Sequence, residues 1–134
     1  ETTKEMEWLS HHSPLPTIAD EAVQRLSDPF ELKNRFHGVN IKLMKCTGIR
    51  EGYLMAKVAK SLGLKVMIGC MTESSCGIAA AAQLAPLADW VDLDGHFLLA
   101  DDPFEGLGFE DGVIQLSEQN GLGVFPKHLF WADQ

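Results

Sequence analysis

The sequence predicts an α/β fold of parallel strands joined by helical crossovers, and three observations carry that expectation. A short β-rich run, a turn and a helical stretch follow one another four times, with strand starts near Pro16, Val39, Lys65 and Trp90, which are 23, 26 and 25 residues apart. No hairpin signal separates the runs, and regular βα units of this kind build a parallel sheet through right-handed crossovers. The ionisable residues of interest gather at the C-terminal ends of the runs: Asp20 after "PTIA", Lys42 in "VNIKLMK", Glu73 after "IGCMT", and Asp92 with Asp94 in "WVDLDG". In a closed parallel barrel those ends converge on one mouth, where active sites are built.

The elements follow in order. The opening "TTKEMEWLSHH" reads as a helix with Met6 and Leu9 on its buried side; no strand precedes it, so the chain is expected to start inside a βα unit. In "SDPFELKNRFHG", Asp28 suits an N-cap, Pro29 the first helical position and Glu31 the third residue of a capping box, with Gly38 beyond the end. Period-two alternation in "VNIKL" puts Val39, Ile41 and Leu43 on one face, and Asn40 and Lys42 on the other, pointing into the barrel. The segment "GIREGYLMAKVAKSLG" predicts a helix whose apolar stripe is Leu54, Val58 and Leu62 with Met55 and Ala59 alongside, closed by Gly63. "CGIAAAAQLAP" reads as a small-residue helix lying close to its sheet and stopping before Pro86. In "WVDLDG" the same alternation sends Val91 and Leu93 toward the helices, and Asp92 and Asp94 toward the mouth. Beyond Asp94 the chain becomes rich in glycine and acidic residues, an irregular tail or small hairpin outside the repeat. The expected division is residues 1–95 as barrel and 96–134 as tail.

Composition narrows the function. With 11 Lys+Arg against 19 Asp+Glu, the chain lacks the basic patch that displaces counterions from nucleic acid or anionic lipid, so neither partner is expected. Cys46, Cys70 and Cys76 are odd in number, fit no paired zinc spacing and suit reduced thiols in the cytoplasm. No apolar run approaches the roughly 18 residues a membrane helix needs, and a soluble protein is expected. His11, His12, His37, His96 and His128 show no helical i, i+4 metal spacing. Trp8, Trp90 and Trp131 suit core or interface packing.

Each candidate site residue has a plain reading beside the functional one. Asp20 fits a turn cap, Glu73 a solvated loop residue, and Lys42 a structural ion pair, while Asp-x-Asp alone is common in loops. Lys42 inside an apolar strand is the hardest to dismiss, because an unpaired buried ammonium is costly. By the same reasoning, Asp92 and Asp94 on one inner face call for a cation: a metal, Lys42 or a ligand's ammonium group.

Together the stretches "PLPTIADEA", "VNIKLMKCTGI", "IGCMTESSCGIAAAAQLA" and "WVDLDG", followed by "NGLGV", resemble the C-terminal half of the barrel, strands 5–8, of the enolase superfamily. The likeness is to its muconate-lactonizing subgroup, and most closely to the dipeptide epimerases that act on L-Ala-D/L-Glu. The resemblance implies a TIM-type barrel and a Mg²⁺-dependent epimerisation of dipeptides by 1,1-proton transfer through an enediolate. It implies Asp20 as a metal ligand, Lys42 as one of two catalytic lysines, and Asp92 and Asp94 as the pair that holds the dipeptide's α-ammonium group. Glu73 takes a supporting role and Glu21 that of a partner to Lys42. Mg²⁺ polarises the substrate carboxylate so that a lysine with its pKa lowered toward neutrality removes the α-proton.

The N-terminal capping domain, the first barrel strands, the opposing lysine pair and two metal carboxylates of that family have no counterpart in these residues. A complementary N-terminal half is therefore expected, on a cleaved or split partner chain or elsewhere in the polypeptide, and this chain alone is expected to be inactive. The complete enzyme is expected to be a homo-oligomer. An o-succinylbenzoate synthase or N-acyl amino acid racemase shares the Asp20 and Lys42 patterns, and the aspartate pair separates them, since an acylated substrate has no ammonium to hold. A non-catalytic binding or assembly fragment with an open doubly wound sheet is the reading from a different class; "TESSCGIAA" offers a single glycine for any phosphate turn.

Overall fold

The computed structural model describes residues 3–127. Four strands, β1 (Ile18–Ala19), β2 (Gly38–Lys42), β3 (Lys65–Gly69) and β4 (Trp90–Asp92), form one parallel sheet in the order β1-β2-β3-β4. Sequential order in an all-parallel sheet is the arrangement of consecutive βα units, as the repeat spacing predicts. The crossovers carry α2 (Asp28–Leu32), α3 (Ile49–Ser61) and α4 (Ser75–Ala82), while α1 (Thr3–His12) precedes β1. In the tail, β6 (Gly108–Glu110) and β7 (Val113–Gln115) make a hairpin, and β5 (Phe104–Glu105) pairs with β8 (Phe125–Pro126). His128 and Trp131 lie outside the described residues. No helix among the described residues is long and apolar enough to cross a membrane.

The core lies between sheet and helices. Val39 and Ile41 of β2 and Val66 and Ile68 of β3 are buried against Met55, Ala56 and Ala59 of α3 and Ile78, Ala81 and Ala82 of α4. Burying each large apolar side chain is worth about 1.5–3 kcal/mol, and this layer fixes where the strand ends point. The buried stripe of α3 is Gly52, Met55, Ala56 and Ala59, rotated from the one expected, with Leu54 exposed. Small residues win because the helix lies close to the sheet: a Cβ on Gly52 would come within 2.9 Å of Leu43 and 3.2 Å of Leu84.

Other local expectations are corrected. Asp28 does not cap α2; its Oδ2 accepts the main-chain N–H groups of Gln24 and Arg25, both at 2.7 Å, and so closes the turn before the helix. Leu9 on α1 is exposed and Met6 only half-buried, since α1 makes little contact with the described sheet.

Among the described residues, a polar contact through Asp102 ties the tail to the start of α4. Ser74, at the N-cap position of α4, makes no side-chain cap. Instead Oδ2 of Asp102 accepts the Ser75 main-chain N–H at 2.8 Å and also the Ser75 hydroxyl, while its Oδ1 accepts the Phe104 N–H at 3.1 Å. Desolvation, the largest influence on this carboxyl, raises its pKa, but the bonds from Ser75 and Phe104 outweigh it and hold it below the ordinary 3.8. Hydrogen bonds to a charged group contribute about 1.5–3 kcal/mol, so Asp102→Ala should destabilise the intact protein by about 2 kcal/mol in urea melts. A depressed carboxyl stabilises above its unfolded pKa and loses that contribution as pH falls through the folded value. The gap between wild type and Asp102→Ala should thus hold at neutral pH and close only below about pH 4.

Candidate active site

The strand register brings the predicted residues to one rim. Lys42 at the end of β2 pairs with Gly69 at the end of β3, which pairs with Asp92 at the end of β4, so the three form a row across the sheet. Asp20 follows the last residue of β1.

Asp20 and Lys42 meet directly: Lys42 Nζ is 2.9 Å from Asp20 Oδ2. The Lys42 side chain is 14% exposed and that of Asp20 39%, so the pair sits at the boundary between barrel interior and mouth. Alternation in "VNIKL" places Lys42 as expected, on the face opposite Val39 and Ile41. Its companion on that face, Asn40, is 6% exposed, and its Oδ1 has no hydrogen-bond partner among the described residues. The Asn40 amide lies over Gly69, where a Cβ would come within 2.5 Å of Oδ1.

A second ammonium completes the cluster. Lys45 Nζ donates to Asp20 Oδ1 and to the Asp20 main-chain oxygen, both at 2.5 Å. Period-two alternation does not reach Lys45, because it places residues only within a strand and Lys45 lies three beyond the end of β2. A turn returns it to the mouth: its N–H and that of Cys46 both donate to the Lys42 carbonyl, at 3.0 and 3.3 Å. The signal was a second lysine directly after the strand in "IKLMK".

Electrostatics follow from this geometry. Desolvation is the largest influence on Asp20 and raises its pKa, but hydrogen bonds from Lys45 and Lys42 bring it below the usual aspartate value. Lys42 moves opposite to the depression expected of a lysine in an apolar barrel. The Asp20 hydrogen bond lifts it above the ordinary lysine value, desolvation opposes without prevailing, and the charge of Glu21 adds to the rise. Glu21 itself is exposed and acts on Lys42 through its field.

The remaining candidates divide. Glu73 is not a solvated loop residue: it is 8% exposed, and its Oε1 accepts the Met71 N–H at 3.0 Å. Its carboxylate fills the space above Gly77, where any Cβ would collide with it, so Glu73 shapes the loop between β3 and α4. Asp92 and Asp94 are exposed among the described residues, so burial within this chain does not by itself call for a cation beside them. β4 is the last strand of the described sheet, and on its other face Val91 is 48% exposed while Leu93 is buried at 5%. Both aspartates line an open cavity of about 420 Å³ with Leu93, Phe109 and Ile114. Between them and Lys42 lies Cys70, whose thiol is pushed up first by desolvation and further by the charges of Asp92, Glu73 and Asp94.

No three metal-ligating side chains converge among the described residues. A Mg²⁺ ion is nonetheless commonly held by one or two carboxylates, with waters and substrate completing the octahedron. Asp20 offers a hard oxygen donor at the mouth that already attracts two cationic groups, and so fits as one ligand of a site whose other ligands come from elsewhere.

Residues 1–128 match the family described as Enolase C-terminal domain-like. The L-Ala-D/L-Glu epimerase of Bacteroides thetaiotaomicron is 49% identical over 124 residues, which are 92% of this chain and 32% of that protein. Among solved structures, the substrate-liganded L-Ala-D/L-Glu epimerase from Bacillus subtilis superposes with a TM-score of 0.86 at 28% identity, over 92% of this chain and 36% of that one. The dipeptide epimerase from Methylococcus capsulatus complexed with Mg ion superposes with a TM-score of 0.79 at 36% identity, over 93% and 39%. The chain thus spans about a third of the length of these relatives.

Proposed function

Since the chain belongs to the enolase C-terminal domain-like family, whose barrel is of the TIM type, we propose that it supplies strands 5–8 of the barrel of a Mg²⁺-dependent dipeptide epimerase. The N-terminal half comes from the rest of the polypeptide or from a partner chain. One observation carries the reading: a lysine ammonium at the end of one parallel strand and a carboxylate just past the end of its neighbour meet at 2.9 Å on the C-terminal rim, where barrel enzymes do their chemistry.

When bound, Mg²⁺ would supply positive charge to a substrate carboxylate as the α-proton leaves. Asp20 contributes a ligand oxygen. Lys42 holds or removes the α-proton on one face of the substrate, and a base from the other half works on the opposite face, which inverts the centre. While Lys42 stays on Asp20 it keeps its proton, so its work as a base begins when it lets go of that carboxylate. Asp92 and Asp94 attract the dipeptide's α-ammonium, Glu73 steadies the neighbouring loop, and Glu21 biases Lys42 toward its charged form. The free thiols of Cys46, Cys70 and Cys76 suit a reducing cytoplasm.

The aspartate pair provides the test of substrate class. A charge-assisted hydrogen bond is worth about 1.5–3 kcal/mol, so Asp92→Asn and Asp94→Asn in the completed barrel should each lower kcat/KM for an L-Ala dipeptide about 10- to 100-fold. Mg²⁺ affinity should stay unchanged. Undiminished dipeptide turnover in both variants removes this assignment, and a preference of the wild type for N-acylated amino acids moves the enzyme to the acyl racemases.

A further inference from the structure

Asp20 is gripped unevenly. Lys45 reaches it twice, at Oδ1 and at the main-chain oxygen of the same residue, which restrains the carboxylate relative to its own backbone. The Lys45 side chain is 10% exposed, against 39% for Asp20, and the turn that closes on the Lys42 carbonyl fixes its base. Lys42 reaches Asp20 once, at Oδ2.

Resting on the functional reading above, we propose that Lys45 is a positioning residue: it clips Asp20 so that Oδ2 alone is left to exchange between the Lys42 ammonium and a divalent cation. Two lysines of equal charge on one carboxylate then have opposite effects on cation binding. Lys42 competes for the ligand oxygen, whereas Lys45 presents it. Charge alone makes both lysines unfavourable to a nearby cation, so only orientation can make the loss of Lys45 weaken binding.

The experiment measures Mn²⁺ binding to the completed barrel by the electron paramagnetic resonance of free Mn²⁺, and Mg²⁺ binding by calorimetry, with thermal melting as a check on folding. Lys42→Met should tighten Mn²⁺ binding several-fold. Lys45→Met should weaken it about tenfold, in the range usual for residues that orient a metal ligand, with its melting temperature still well above that of the assay. If Lys45→Met does not fold, Lys45→Arg is measured instead. It keeps the charge but presents a planar fork to two oxygens set for one ammonium, and weaker binding is again expected. Unchanged or tighter binding in the folded Lys45 variant overturns the proposal while leaving the epimerase reading intact. Wild-type protein that binds neither ion, or an Asp20→Asn variant that binds as well as wild type, overturns both.

Discussion

Lys42→Ala in the completed barrel is expected to lower kcat for dipeptide epimerisation about 10³-fold, within the range of a lost general acid or base. Lys42 is the group the strand register aims at the mouth, and it is protected from solvent along most of its length. Its removal should leave the fold largely untouched. Asp20 keeps Lys45 as a partner and remains partly open to water, so the lost pair is worth only about 1 kcal/mol. A collapse in kcat with a melting temperature shifted by no more than a few degrees is therefore the expected pattern. An enzyme that keeps its rate without Lys42 excludes Lys42 as a required base.

The second large effect is on Asp20. In Asp20→Asn the strand mouth loses one carboxylate while two ammonium groups, 14% and 10% exposed, lose their shared partner. Cation-derived stabilisation of several kcal/mol disappears with the ligand, and activity should fall about 10³-fold or more. Stability should fall by about 2 kcal/mol; a fully buried broken pair costs about 3–5, and the exposure of Asp20 lowers that. The pH dependence changes too. The depressed Asp20 stabilises the wild type above 3.8 and stops doing so as pH falls through its lower folded value. The raised Lys42 contributes fully below 10.5, and that contribution is lost as pH rises through its higher folded value. Asp20→Asn should therefore flatten the stability profile at both the acid and the alkaline end, while retained cation-dependent activity would remove Asp20 from the metal site.

What could be read from the sequence was whatever depends on strand periodicity. The starts near Val39, Lys65 and Trp90 fall at or within one residue of Gly38, Lys65 and Trp90, and β1 begins two residues past Pro16. Lys42 lies on the inner face as alternation requires. The misses have a common physical source, since each depended on a neighbour in space. The α3 stripe turned toward Gly52 and Ala56 because close approach to the sheet rewards small residues over Leu54. Asp28 bonded back to Gln24 and Arg25, an alternative open to any short acidic side chain. An apolar run predicts burial for Asp92 and Asp94, but burial depends on what packs against each face, and of 91–94 only Leu93 is covered. Lys45 and Asp102 act across 25 and 27 residues of chain, through a turn and a tail that periodicity does not reach.

The most direct measurement follows the α-proton itself. The completed barrel is incubated in D₂O with Mg²⁺ and a series of L-Ala-L-Xaa dipeptides, and the C-terminal residue's α-hydrogen is monitored by proton NMR. Loss of that signal with formation of the L,D epimer is the expected result, both abolished by chelation, and formation of the epimer abolished by Lys42→Ala. Dipeptides that keep their α-proton and configuration in the presence of folded, Mg²⁺-loaded protein would contradict it.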